Sequence, residues 1–138
     1  MGGARWVQND LLTPSRDADV RVFVVWFRMY PGDAKSRWPG ELLHDRRIVQ
    51  RWDEPKNAGR WFFDHLSGLR PSRGGDGIFP QNVDALWDSY LLFDRSAAWK
   101  EAPTGVMSWG YTVLRTRDKL LEDFRFAVNG RSARPGRD

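Results

Sequence analysis

The stretch VRVFVVWF, residues 20–27, constrains the fold of this chain more than any other feature. It is rich in β-branched and aromatic residues, and after Arg21 apolar and polar side chains almost cease to alternate. That pattern is typical of a strand buried on both faces, as in the sheet of an α/β protein. The turn YPGD follows at residues 30–33, where Asp33 is a good N-cap for a helix over residues 34–45. The stretch therefore predicts an α/β fold.

The remaining pattern predicts five further elements. These are a strand at 46–53, an amphipathic helix at 57–69, strands at 85–94 and 106–114, and a helix at 116–128. The first strand, its crossover helix and the second strand form a right-handed parallel unit, and the last two strands form an antiparallel pair. The order β-α-β-α-β-β-α predicts a thioredoxin-like fold with one mixed four-stranded sheet and flanking helices. We expect the strand at 85–94 to be central in that sheet.

Two irregular features accompany this pattern. Pro39 and Gly40 lie in the middle of the predicted helix at 34–45, so we expect that helix to kink or split. Residues 1–19 are polar and broken by Pro14, which is typical of an N-terminal extension.

Length and charge indicate one domain with a basic tail. A chain of 138 residues fits a single domain, which we place at residues 20–128. The tail at 129–138 supplies much of the net charge of +4, through Arg131, Arg134 and Arg137 against Asp138. Weak nucleic-acid binding through this tail is one hypothesis, although a basic cluster is only an electrostatic hint.

The chain contains no cysteine. Disulfides, thiol redox chemistry, cysteine nucleophiles and thiolate metal sites are therefore excluded. No stretch of the sequence is typical of a signal peptide or a membrane span, so we expect a soluble cytoplasmic protein.

Three segments in combination carry a family resemblance: DRRIVQRWD at 45–53, WDSYLLF at 87–93 and AAWKEAPTGVMSW at 97–109. They resemble a group of largely uncharacterised bacterial proteins with a thioredoxin-like fold, over about residues 20–113. Members of that group carry histidines near two of these motifs, where this chain has Gln50-Arg51 and Met107-Ser108. The resemblance therefore implies a fold and does not imply a reaction.

Carboxylates at predicted strand ends are the catalytic candidates. Superposing this turn on the cysteine turn of a thioredoxin would place Tyr30 and Asp33 at the positions of the two cysteines, and neither can cycle between thiol and disulfide. A small anion would bind the helix that follows, unless Asp33 caps that helix itself. Asp53 and Asp88 each follow a tryptophan and are candidates for acid–base work. The alternative is that each tryptophan packs while its aspartate caps a turn or pairs with an arginine.

Aromatic side chains are the binding candidates. Tyr30, Trp38, Trp61 and Trp109, with Trp99, are more large rings than one core of this size readily holds. Aromatic residues and arginine anchor many partner surfaces. The alternative is a large core with satellite clusters under the long loops.

A metal site would have to combine residues such as His44, His65 and Asp88 from three separate segments, so we predict no metal and no cofactor. The leading hypothesis is a non-redox thioredoxin-like module, monomeric or homodimeric, that binds a partner protein or a small ligand. One alternative is a hydrolase or lyase-type enzyme that uses Asp33, Asp53 or Asp88. Convergence of these carboxylates on one pocket would favour the enzyme.

Overall fold

The computed structural model describes residues 1–130, so the arginines of the predicted basic tail lie outside the described residues. The predicted α/β class is confirmed, because the described chain contains three α-helices and two β-sheets. The chain divides into two compact units. The first comprises Met1–His65 with Asn82–Trp87, and the second comprises Leu66–Gln81 and the described chain from Asp88 to Gly130.

The first unit contains a two-stranded sheet, and the parallel pairing of its strands is as predicted. Strand β1 (Val22–Trp26) pairs with β2 (Ile48–Trp52) over their whole lengths. The prediction that β1 is buried on both faces is wrong, because alternate residues are exposed and Phe23 is 69% exposed. The apolar run provides β propensity, but one face of this narrow sheet is left uncovered.

The connection from β1 to β2 differs from the prediction. No α-helix forms over residues 34–45, and two short 3₁₀ turns at Lys35–Arg37 and Gly40–Leu42 take its place. Pro39 separates them, since the residue before a proline is disfavoured in helical conformation, and Trp38 is extended. The side chain of Gln50 donates hydrogen bonds to the carbonyls of Gly40 and Leu43, at 3.0 and 2.9 Å. This side chain fixes the non-helical path of the connection.

The N-terminal segment is folded. Helix α1 (Gly2–Trp6) continues into a π-helix at Val7–Leu12. Leu11 and Leu12 are part of the buried core, and Gln8 is also buried. The polar composition of residues 1–19 predicts an extension, but the buried pair Leu11 and Leu12 anchors the π-helix in the first unit.

Helix α2 (Asn57–His65) confirms most of the helix predicted at 57–69, and a 3₁₀ turn at Leu66–Gly68 follows it. Within the first unit, the Leu86 amide donates to the Gly59 carbonyl at 2.9 Å. A Cβ atom at residue 59 would lie 2.9 Å from the Leu86 carbonyl oxygen, so the absence of a side chain permits this close approach.

The second unit contains strands β3 (Gly75–Asp76), β4 (Ser89–Phe93) and β5 (Val106–Tyr111), in the spatial order β3-β5-β4. The antiparallel pairing of β4 with β5 confirms the predicted hairpin partners. The prediction that the strand at 85–94 is central is wrong, because β5 is central and β4 is half-buried at an edge. The described residues thus form sheets of two and three strands where the sequence predicts one sheet of four.

Helix α3 (Arg117–Asn129) packs on β5 and agrees with the predicted helix to within one residue at each end. Its buried residues are Leu120, Asp123 and Phe124. No helix within residues 1–130 is long and apolar enough to span a membrane.

Candidate functional site

The turn at residues 28–33, which we call the Tyr30 turn, follows the carboxyl end of β1. The Asp33 amide donates to the Tyr30 carbonyl at 2.9 Å, which closes a four-residue turn with Pro31 in its second position. The Asp33 carboxylate oxygen Oδ2 accepts hydrogen bonds from the amides of Met29 and Tyr30, at 2.9 and 2.8 Å. The Arg28 guanidinium donates to the Pro31 carbonyl at 3.1 Å. The turn is therefore fixed by its own residues.

This geometry exposes one aromatic ring. The side chain of Tyr30 is 66% exposed, although its backbone takes part in two of the hydrogen bonds that close the turn. The hydrogen bonds from the Tyr30 and Met29 amides hold the pKa of Asp33 below its usual value. The carboxylate therefore stays ionised, and continues to accept these bonds, throughout the neutral range.

The prediction that Asp33 caps a following helix is wrong. Its carboxylate bonds to amides that precede it in the chain, and the 3₁₀ turn after it has no side-chain cap. Because only 3₁₀ turns follow Asp33 over residues 34–45, neither the helix cap nor the alternative of an anion site at a helix N-terminus is present there. Asp33 is a positioning residue for Tyr30.

Asp53 follows β2 at the same sheet edge, since its amide donates to the Trp26 carbonyl at 2.7 Å. Its carboxylate accepts a hydrogen bond from the Ala58 amide in the first turn of α2, at 2.8 Å. Asp53 thus caps the start of α2, in line with the alternative that it has a capping role and not a role in acid–base chemistry.

Asp88 belongs to the second unit and directly precedes β4. Its backbone has a φ of +47°, in the left-handed region that aspartate tolerates better than most residues. Its carbonyl accepts a hydrogen bond from the Val113 amide at 2.8 Å, and burial raises the pKa of its carboxyl. Asp33 and Asp53 each accept hydrogen bonds from backbone amides of their own segments, whereas Asp88 belongs to the second unit, where its carboxyl interacts with the Thr112 side chain.

Three of the predicted binding tryptophans take part in packing, whereas Trp99 is 60% exposed. The Trp38 ring lies 6.5 Å from that of Trp26, and Trp61 stacks on His65 with ring centroids 4.2 Å apart. Trp109 stacks on Phe79 with ring centroids 5.3 Å apart. All three tryptophans are half-buried, in contrast to Tyr30.

The second unit contains a buried polar cluster that no local sequence pattern predicts. Asp123 is 1% exposed and forms ion pairs with Arg73 and with Lys119, the second at 2.9 Å. The Lys119 ammonium also donates to the Arg73 carbonyl at 2.8 Å. These contacts tie α3 to the loop before β3. The sequence predicts the apolar stripe of α3. It does not predict the pairing of Asp123 with Arg73, because Arg73 lies 50 residues earlier in the chain.

Two more groups complete this cluster. The Ser108 hydroxyl adjoins both the Asp123 carboxyl and the Tyr90 hydroxyl, and burial raises the pKa of Tyr90 to about 12. Burial also raises the pKa of Asp123, but the hydrogen bonds from Arg73 and Lys119 outweigh it and hold that pKa below its usual value. The cluster is a charge-compensated part of the core.

Within residues 1–130, no group of three or more histidine, aspartate or glutamate side chains is arranged to hold a metal ion. Comparisons of the chain with protein-family models, with curated proteins and with solved structures give no match.

Proposed function

We propose that this protein is a binding module without thiol chemistry, and that it recognises a partner protein through Tyr30. The observation that carries the proposal is the display of a largely exposed tyrosine on a turn that internal hydrogen bonds fix. Tyrosine is enriched among the residues that dominate binding energy at protein interfaces. A turn whose backbone is already fixed loses little conformational entropy on binding.

The engagement of the aspartates supports binding over catalysis. A general acid or base needs a carboxyl group that can reach a substrate proton. Asp33 and Asp53 accept hydrogen bonds from backbone amides of their own segments, and Asp88 lies in the other unit. These contacts favour the binding hypothesis over the hydrolase or lyase hypothesis.

The proposed fold is thioredoxin-like. Its support is the parallel pair β1–β2, the antiparallel pair β4–β5 and the C-terminal helix α3, which follow one another in the predicted order. In such a fold the Tyr30 turn takes the place of the cysteine turn. The described residues form two sheets, so the proposal predicts an experimental structure in which β1–β2 and β4–β5 belong to one four-stranded sheet, and an experimental structure that keeps them in two sheets would contradict it.

The functional proposal is tested by site-specific photo-crosslinking in cells of the source organism. A benzophenone amino acid replaces Tyr30 in one variant and Ile78 in the control, because Ile78 is a 90% exposed apolar side chain in the other unit. We expect a discrete crosslinked product from position 30 that position 78 does not give.

Competition then distinguishes recognition from proximity. Excess unmodified protein should suppress the crosslinked product, while an equal excess of the Tyr30→Ala variant should not. Identical products from positions 30 and 78, no product from position 30, or equal suppression by both competitors would contradict the proposal.

A further inference from the structure

A cleft of about 390 Å³ lies in the first unit, between the end of the π-helix and the segment that enters β2. One side is lined by Gln8, Thr13, Arg16 and Asp17, and the other by residues 44–47. Every side chain that lines it is polar or charged. Such a cleft suits a small polar ligand.

The π-helix builds the floor of this cleft. The Thr13 amide donates to the Gln8 carbonyl at 3.0 Å, which is the five-residue spacing of a π-helix. Gln8 is thereby buried, and its side-chain oxygen accepts hydrogen bonds from the amides of His44 and Asp45, at 3.0 and 3.1 Å. The two sides are thus joined by bonds within the protein, and π-helices occur frequently at functional sites.

Arg47 forms a wall of the cleft and is fully engaged. Its guanidinium donates to both carboxylate oxygens of Asp45, at 2.8 and 2.7 Å. Its remaining N–H groups donate to the carbonyls of Leu12, Ser15 and Ala18, at 2.9, 2.6 and 3.1 Å. This ion pair holds the pKa of Asp45 down to about 2. Arg47 and Asp45 therefore neutralise each other and hold the cleft in shape.

Two other arginines are left for a ligand. The side chains of Arg16 and Arg46 are exposed at the cleft, and neither forms an ion pair or a hydrogen bond within the described part of the chain. The remaining carboxylate is that of Asp17, which interacts electrostatically with Arg47. Arg46 also interacts electrostatically with Asp45, but the three arginines of the cleft still outnumber its two aspartates, and neither Arg16 nor Arg46 is held by a hydrogen bond in the described chain. A guanidinium presents a planar fork of donors that matches phosphate oxygens.

We propose that this cleft binds a small phosphate ester, with Arg16 and Arg46 as its phosphate ligands. The proposal is independent of Tyr30, because none of the residues that carry it belongs to the Tyr30 turn.

Titration of the full chain with pyrophosphate, followed by ¹H–¹⁵N NMR spectra, tests the proposal. We expect saturable shifts of the amides at residues 44–47, with inorganic phosphate causing the same shifts at higher concentration. Arg16→Ala and Arg46→Ala should each weaken pyrophosphate binding by about tenfold or more, the usual effect of losing a charge-assisted hydrogen bond. Arg37→Ala removes an exposed arginine outside the cleft of the same unit, and it should change the affinity by less than about twofold.

Four results would overturn the proposal. They are the absence of saturable shifts up to about 10 mM pyrophosphate, shifts confined to residues 131–138, equal weakening by Arg37→Ala and Arg46→Ala, and acetate binding as tightly as phosphate. The second result would assign anion binding to the basic tail, and the third would assign it to net charge alone.

Discussion

Asp123 carries a negative charge in the core of the second unit, and two cations from different segments compensate it. Burying an isolated charge is costly, so removing one member of such a group is far more disruptive than losing a surface ion pair. The aliphatic portions of Arg73 and Lys119 pack within the unit, while about a quarter of each side chain reaches solvent. The exposed part of each cation lowers its desolvation cost.

Asp123→Asn should destabilise the protein by about 3 kcal/mol at pH 7. This value is at the low end of the usual cost of breaking a buried ion pair, because the two cations partly reach solvent. The folded pKa of Asp123 lies below its unfolded value, so its contribution is fully present above about pH 4. That contribution is lost as the pH falls through the folded pKa. The stability difference between the variant and the wild type should therefore shrink below about pH 4.

Glu122→Gln is the matched control for urea unfolding at several pH values. Glu122 contacts the same arginine at 3.2 Å, but its side chain is 76% exposed, so we expect a change within about 0.5 kcal/mol. Equal effects of the two substitutions, or a difference at Asp123 that does not depend on pH, would show that the buried pairing is wrongly assigned.

At the scale of elements, the N-terminal helix is an integral part of the first unit. Leu12 is fully buried, so Leu12→Ala should destabilise the protein by about 2–5 kcal/mol in urea unfolding. Asp10→Ala, an exposed site in the same π-helix, should change stability by less than about 0.5 kcal/mol. A harmless Leu12→Ala would restore the interpretation of residues 1–19 as an extension.

The central position of β5 makes a second prediction for the elements. Met107 on β5 is buried, so Met107→Ala should cost about 2–5 kcal/mol. Leu92 on the edge strand β4 is only half-buried, and Leu92→Ala should cost clearly less. If thermal unfolding gave the reverse order, β4 would be central, as the sequence alone suggests.

Strands and the long helix are predictable because apolar periodicity is a local property. β2, β5 and α3 begin and end within a few residues of their predicted bounds. The connection at 34–45 is not predictable in the same way. The sequence does not show whether the Asp33 carboxylate accepts hydrogen bonds from the amides before it or from the amides after it. The carboxylate bonds to the amides that precede it, and Pro39 then favours 3₁₀ turns over a helix.

At the scale of the whole molecule, pairings between distant segments set the limit of prediction. The division of the strands between two sheets, and the pairing of Arg73 with Asp123, depend on residues that no local pattern connects. Of the predicted binding aromatics, the structure leaves Tyr30 largely exposed because its turn closes on itself. Trp38, Trp61 and Trp109 are half-buried beside neighbouring rings, and Trp99 is 60% exposed.

The composition of the whole chain makes one chemical prediction. Because the sequence has no cysteine, the purified protein should not accelerate insulin disulfide reduction above a buffer control. A cysteine-containing thioredoxin serves as the positive control for the turbidity assay. Reduction that scales with the concentration of a tag-free preparation would contradict the proposal of a non-redox module.

The affinity of Tyr30 variants for the crosslinked partner, purified and measured by calorimetry, tests the central claim most directly. Tyr30→Ala should raise the Kd by about thirtyfold or more, which is the usual effect of losing a residue that dominates the binding energy of an interface. Tyr30→Phe, which keeps the ring, and Ile78→Ala, which removes exposed apolar surface elsewhere, should bind nearly as tightly as the wild type. Wild-type affinity in a folded Tyr30→Ala variant would contradict the account.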